Sequence, residues 1–157
     1  MASESFSLAF DLDGDGRKDF GSPADALASA ASQLRKKGWE VGKTWGFEVT
    51  LPSRVTCAMD GPEGARTIAG WAALGVKRTA GRQFPKSYAN DEAFLFTPGG
   101  GNGPAFLVLE NFMVFKRYNP SDLYALFVGH LADRLVVSPT PADLAAAIGR
   151  VGARVGR

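Results

Sequence analysis

Asp11-Leu12-Asp13-Gly14-Asp15-Gly16-Arg17-Lys18-Asp19, continued by Ser22-Pro23-Ala24-Asp25, decides how the rest of the chain is read. Carboxylates fall at alternate positions, and Gly16 stands where a cation-wrapping loop turns sharply. A hard cation such as Ca²⁺ takes about six to eight oxygen ligands, and this spacing aims several at one centre. Without a cation these acids would repel one another. In the register of an EF-hand loop, Asp11, Asp13 and Asp15 take positions 1, 3 and 5, Arg17 offers its backbone carbonyl, and Asp19 takes position 9. The last ligand position falls on Ser22, where a bidentate Glu is expected. Asp25 is the natural substitute. It also suits a plain helix start: Thr140-Pro141-Ala142-Asp143 has the same form with no acidic run before it. The acidic run is what separates the two cases. Only one such loop is visible and no long helix precedes it, which favours a structural clamp over a calcium switch.

Outward from the loop, Ser22-Pro23-Ala24-Asp25 carries a cap, a first-turn proline and an acid facing the positive helix end. Ala24, Leu27, Ala31 and Leu34 follow at helical spacing, and Gly38 ends the run, so a helix is expected over 23–37. Trp45-Gly46-Phe47-Glu48-Val49-Thr50-Leu51 alternates like a half-buried strand stopped by Pro52. Thr67 to Leu74 reads as a short helix ended by Gly75. Phe94-Leu95-Phe96 and Phe106-Leu107-Val108-Leu109 flank a Gly/Pro-rich loop at 97–104, which predicts a hairpin. No Gly-Lys-Ser/Thr follows that loop, so it is a turn rather than a phosphate cradle. Asn119-Pro120-Ser121-Asp122 opens another helix, on which Leu123, Phe127, Leu131 and Leu135 recur every four residues and are expected to form core. His130 beside them is expected to pack as a hydrogen-bonded imidazole. A third, short helix is expected from Thr140, and Arg150 to Arg157 is expected to fray.

Composition narrows the function classes. The chain has 157 residues and a net charge of +2, enough for one ordinary domain or two small ones. The longest Lys/Arg run is three residues, Arg35-Lys36-Lys37, and the net charge is small, so nucleic acid is not an expected partner. Nothing approaches a transmembrane segment, and Met1-Ala2-Ser3-Glu4 lacks a signal-peptide pattern. Cys57 and His130 are each the sole residue of their type. An intramolecular disulfide is therefore impossible, and neither is expected to be catalytic.

Two separated blocks point to a family. The first is Phe10 to Asp19 with Ser22-Pro23-Ala24-Asp25-Ala26-Leu27-Ala28-Ser29-Ala30-Ala31 and Gly38-Trp39. The second is Phe106-Leu107-Val108-Leu109-Glu110-Asn111-Phe112 with Arg117-Tyr118-Asn119-Pro120-Ser121-Asp122-Leu123-Tyr124-Ala125. Together they resemble lytic murein transglycosylase B and its relatives over about residues 1–136. The resemblance implies an α+β fold: a partial lysozyme-like helical core with an EF-hand-like metal loop and a small β-rich domain. Its expected division is 1–38 core fragment with loop and helix, 39–115 β-rich domain, 116–136 returning core helix, and 137–157 C-terminal helix and tail.

The resemblance further implies non-hydrolytic cleavage of the MurNAc–GlcNAc bonds of peptidoglycan, with a 1,6-anhydro sugar as product. One glutamic acid serves as acid and then base, because the attacking hydroxyl belongs to the substrate. The family's longer loop implies Ca²⁺ ligands at Asp11, Asp13, Asp15, the Arg17 carbonyl and Asp25, with Asp19 behind them. Tyr118, Asn119 and Tyr124 carry over as substrate-contacting residues. From residue types alone, Asn119 could equally cap the helix through Pro120 while both tyrosines pack. The family's catalytic Glu precedes the metal loop, and this chain starts ten residues before Asp11. Glu4, Glu40, Glu48, Glu63, Glu92 and Glu110 do not match it. The expectation is therefore the C-terminal portion of a transglycosylase, inactive as this chain. The alternative is a non-catalytic peptidoglycan-binding or regulatory module with structural calcium. A periplasmic or cell-envelope location follows from the resemblance, and a homodimer or domain swap through exposed core helices is expected as a partner state.

Overall fold

A computed structural model describes residues 23–136. Helix α1 spans Pro23–Lys36, with Asp25 in its first turn and Arg35 and Lys36 in its last. It closes as its sequence predicts. Gly38 takes φ 101°, its N–H donates to the Arg35 carbonyl at 3.1 Å, and the Trp39 N–H reaches back to the Leu34 carbonyl at 3.0 Å. This is the Schellman arrangement, and its usual apolar seal is present: Leu34 and Trp39 pack into the same cluster.

The middle of the chain forms five antiparallel strands: β1 Gly46–Thr50, β2 Arg66–Thr67, β3 Lys77–Arg78, β4 Glu92–Phe96 and β5 Ala105–Val108. Their order across the sheet is β2-β4-β5-β1-β3. Strands β4 and β5 form the expected hairpin, with Leu95 opposite Leu107, and β5 also pairs with β1, Phe47 opposite Leu107. A short helix, α2 (Ile68–Ala73), is capped by the Thr67 side chain, which accepts from the Gly70 N–H.

Alternation along the strands sends side chains into two apolar clusters, as period-two geometry requires. Phe47, Val49, Leu95 and Leu107 join Ile68 and Trp71 on one face. Phe106 and Val108 join Trp45, Phe112, Phe115 and Ala125 on the other. Strand β5 is buried at every residue.

Two helices lie on that second face. Helix α3 (Glu110–Tyr118) follows β5 at once, and helix α4 (Asp122–Val136) follows a break at Asn119-Pro120-Ser121. Helix α3 was not expected. Its N-cap, Leu109, makes no side-chain cap bond, so the usual start signal is missing.

The apolar stripe of α4 needs correcting. Leu123, Phe127, Leu131 and Leu135 are 69%, 67%, 46% and 65% exposed among the described residues. The buried side of α4 is instead its small-residue side, Ala125 and Gly129. Trp45 decides this. Its indole lies so close that a Cβ on Gly129 would come within 2.6 Å of the ring, and only a glycine row admits that approach. His130 packs edge-on to Trp45 and Phe106 with ring centres 5.2 and 5.4 Å away, the packed half of what its sequence position suggested. No helix among the described residues is long and apolar enough to cross a membrane.

Candidate functional site

The corner between α3 and α4 brings Tyr118, Asn119 and Tyr124 together. Asn119 ends α3: its N–H donates to the Phe115 carbonyl at 2.8 Å, and its Oδ1 accepts from the Ser121 N–H at 3.0 Å. The cap of α4 is Ser121, whose Oγ accepts from the Tyr124 N–H at 3.2 Å. Asn119 thus shapes the turn, while the capping falls to the serine. Lys116 and Asp122 bridge the corner with an ion pair of 2.6 Å.

On this corner the Tyr118 and Tyr124 rings stack, with centroids 6.3 Å apart and planes 20° from parallel. Tyr118 stays exposed. Burial raises the Tyr124 hydroxyl pKa above its ordinary 10.0, and the neighbouring Tyr118 adds to the rise. Two parallel phenol faces with hydroxyls at their rims can cover a pyranose ring and hydrogen-bond its substituents.

At the other end of α3, Asn111 is 1% exposed and holds the 40–43 loop. Its Oδ1 accepts from the Glu40 N–H at 2.8 Å. Its Nδ2 donates to the carbonyls of Glu40 at 2.9 Å and Lys43 at 2.8 Å. Arg117 ties the same regions together, donating to the Lys37 carbonyl at 3.0 Å and pairing with Glu110 at 2.5 Å. Asn111 and Arg117 both lie in the sequence blocks that carry the family resemblance, but residue type alone did not announce their brace role. Beside this brace opens a cleft of about 580 Å³ whose walls include Glu40, Lys43, Asp91, Glu92 and Glu110. Lys43 pairs with Asp91 at 2.5 Å; that hydrogen bond, more than any other neighbour, raises its pKa above 10.5.

Glu40, Glu48, Glu63, Glu92 and Glu110 are all exposed. None sits in the apolar, water-poor setting that a proton-donating carboxyl requires. Cys57 is exposed as well.

Asp25 is 1% exposed, unusual for a carboxylate in the first turn of a helix, since buried carboxylates are paired or coordinate metals. Asp11, Asp13, Asp15 and Arg17 lie outside the described residues, as do Asp19, Ser22 and the expected helix from Thr140. Among the described residues, no group of three or more His, Cys, Asp or Glu could hold a metal. In the sequence, Asp11, Asp13, Asp15 and Asp25 are all oxygen donors, the ligand type that a hard cation takes.

Comparison with known proteins gives this architecture a family. The transglycosylase SLT domain family matches residues 1–133, and the chain belongs to it. Among solved structures, SltB3 from Pseudomonas aeruginosa in complex with NAG-anhNAM-pentapeptide is 42% identical, with a TM-score of 0.77 over 84% of this chain and 36% of that one. The same protein in complex with NAG-NAM-pentapeptide gives 41% identity and a TM-score of 0.78 over 85% and 36%. The Escherichia coli lytic transglycosylase SLT35 in complex with calcium is 26% identical, with a TM-score of 0.66 over 87% and 42%. The chain therefore spans well under half the length of these relatives. No curated protein matched it.

Proposed function

We propose that this chain forms the glycan-cleft and metal-loop portion of a peptidoglycan lytic transglycosylase, acting in the bacterial cell envelope. The observation that carries the reading is the stacked Tyr118–Tyr124 pair on the α3–α4 corner, shaped by Asn119. In this reading the two rings bind a sugar of the glycan strand and fix its orientation, with Asn119 holding the corner and offering an amide to the substrate. Residues 1–38 and 116–136 belong to a lysozyme-like helical core, and 39–115 are a β-rich insert. SltB3, bound to both an anhydro and a non-anhydro disaccharide pentapeptide, supports the substrate class.

Calcium would be held by Asp11, Asp13, Asp15, the Arg17 carbonyl and Asp25, in an EF-hand-like loop. It would supply structural cross-linking of the loop to α1 rather than chemistry. The calcium complex of SLT35 and the burial of Asp25 support this reading.

Cleavage in this family needs a carboxyl that first protonates the glycosidic oxygen and then takes the proton of the sugar's own 6-hydroxyl. None of the glutamates among the described residues has a setting for that work, and in this reading the described portion binds murein without cutting it. This exposure favours the second reading, a non-catalytic peptidoglycan-binding or regulatory module. Incubation with purified sacculi, followed by sedimentation and mass spectrometry of the supernatant, tests both. Co-sedimentation without anhydro-muropeptides is expected. Release of anhydro-muropeptides would show that the chain is an active enzyme, and failure to sediment would remove the glycan reading.

A further inference from the structure

We infer that Arg117 is a positioning residue for the glycan platform, setting the Tyr118 ring by clasping the last turn of α3 to the end of α1. The inference rests on the reading that Tyr118 and Tyr124 bind a sugar. Tyr118 is the last residue of α3, and that end lacks the common seal. Many helices close on a left-handed residue that ties off the final carbonyls. Asn119 is extended instead, with φ −139° and ψ 118°. The last turn of α3 therefore depends on side chains to keep it from fraying.

Two neighbouring cations hold that turn to different elements. Lys116 pairs with Asp122, in the first turn of α4, at 2.6 Å. Arg117 reaches the other way. Its Nη1 donates at 3.0 Å to the carbonyl of Lys37, one residue past the end of α1. Carbonyls at a helix C-terminus run out of intrahelical partners and carry the negative end of the dipole, so a guanidinium suits the place. Beside this clasp Trp39 packs on Phe115 with ring centres 5.2 Å apart, and the Phe115 carbonyl accepts the Asn119 N–H at 2.8 Å. The end of α1 thus bears directly on the residues that flank Tyr118.

Arginine is the residue type the clasp needs. Its Nη2 meets Glu110 Oε1 at 2.5 Å, in the first turn of the same helix, so the side chain lies back along α3 as helical side chains do. A planar fork serves the carbonyl and the carboxylate together, whereas an ammonium is a point charge without that geometry. Both side chains of the Arg117–Glu110 pair are 46% exposed, and exposed pairs add little to overall stability. A positioning role and a merely structural one therefore predict different outcomes.

The test compares the full chain with Arg117→Ala, Arg117→Lys and Tyr124→Ala in three measurements: affinity for purified sacculi by sedimentation, hydrogen exchange at the Asn119 amide, and melting midpoint. For Arg117→Ala, binding should weaken by up to about tenfold, the scale of one lost aromatic contact. Its Asn119 amide should exchange faster, while its midpoint moves by less than about 4 °C. Arg117→Lys should recover only part of the affinity. Full affinity in Arg117→Ala, beside lost affinity in Tyr124→Ala, would overturn the role of Arg117 and leave the platform standing. Weakened binding with an unchanged Asn119 amide, or only in step with a large fall in midpoint, would also overturn it. Full affinity in Tyr124→Ala, or none in the unaltered chain, would remove the platform and this inference together.

Discussion

Gly129 of α4 lies against the face of Trp45, so close that a methyl group there would fall 2.6 Å from the indole ring carbons. The indole N–H donates to Asp133 Oδ2 at 3.0 Å, one helical turn further along the same face of α4. Ala125, Gly129 and Asp133 thus form a row on which Trp45 seats the whole helix. Gly129→Ala should lower stability by about 1–3 kcal/mol through overpacking, although alanine is the better helix former by about 1 kcal/mol. Urea melts of the two proteins decide it; an unchanged or higher midpoint would mean the helix is not seated this way.

Asn111→Ala removes three hydrogen bonds from a buried position and strands two carbonyls and an amide of the 40–43 loop. Loss of about 2–4 kcal/mol is expected, since unsatisfied buried groups cost more than the bonds themselves contribute. Hydrogen exchange at the Glu40 amide should accelerate first. Asn111→Asp is expected to be worse than a lone lost donor, because it turns a carboxylate toward two carbonyl oxygens.

Tyr124→Ala should abolish co-sedimentation with sacculi while changing the melting midpoint little, since the ring is only partly buried. Retained binding in a double Tyr118→Ala, Tyr124→Ala variant would dismiss the sugar platform.

Burial, and then Tyr118, raises the Tyr124 pKa in the folded chain above the ordinary 10.0. The unfolded chain therefore loses this proton first as pH rises. The tyrosine contributes nothing to the pH dependence below about pH 10 and lowers stability as the pH climbs past that value toward the folded pKa. Tyr124→Phe should flatten this alkaline loss, read as melting midpoint against pH from 9 to 11.

Calcium at about one hundred times its Kd should add about 2.7 kcal/mol to folding if it binds only the native loop. EDTA should reverse the gain, and Asp25→Asn should remove most of it. Equal melting with and without EDTA would rule out the clamp.

Much of the fold was legible because its signals are local. Pro23, Asp25 and Gly38 mark both ends of α1, and the Gly/Pro-rich 97–104 segment marks the β4–β5 hairpin. The two-residue strands β2 and β3 were not legible, being too short to show any period. Helix α3 was hidden because the apolar run 105–109 passes into it with no capping side chain. For α4 the periodicity was real but ambiguous: the helix has a row of large apolar residues and a row of small ones, and only the bulk of Trp45, 84 positions from Gly129, selects the small row. Tyr118, Asn119 and Tyr124 were singled out through the family resemblance, and the structure gathers them at one corner, whereas the near-parallel stacking of the two rings is something that no spacing rule announces. The acidic stretch 11–19, the clearest feature of the sequence, lies outside the described residues.

Phe106 and Leu107 are neighbours in β5, yet they anchor opposite faces of the sheet. The strand is a party wall, so neither half of the molecule has an outer surface of its own along it. Cutting the insert away to shorten the protein would open the helical half to water, and a lesion in either half should be felt as one loss of cooperativity.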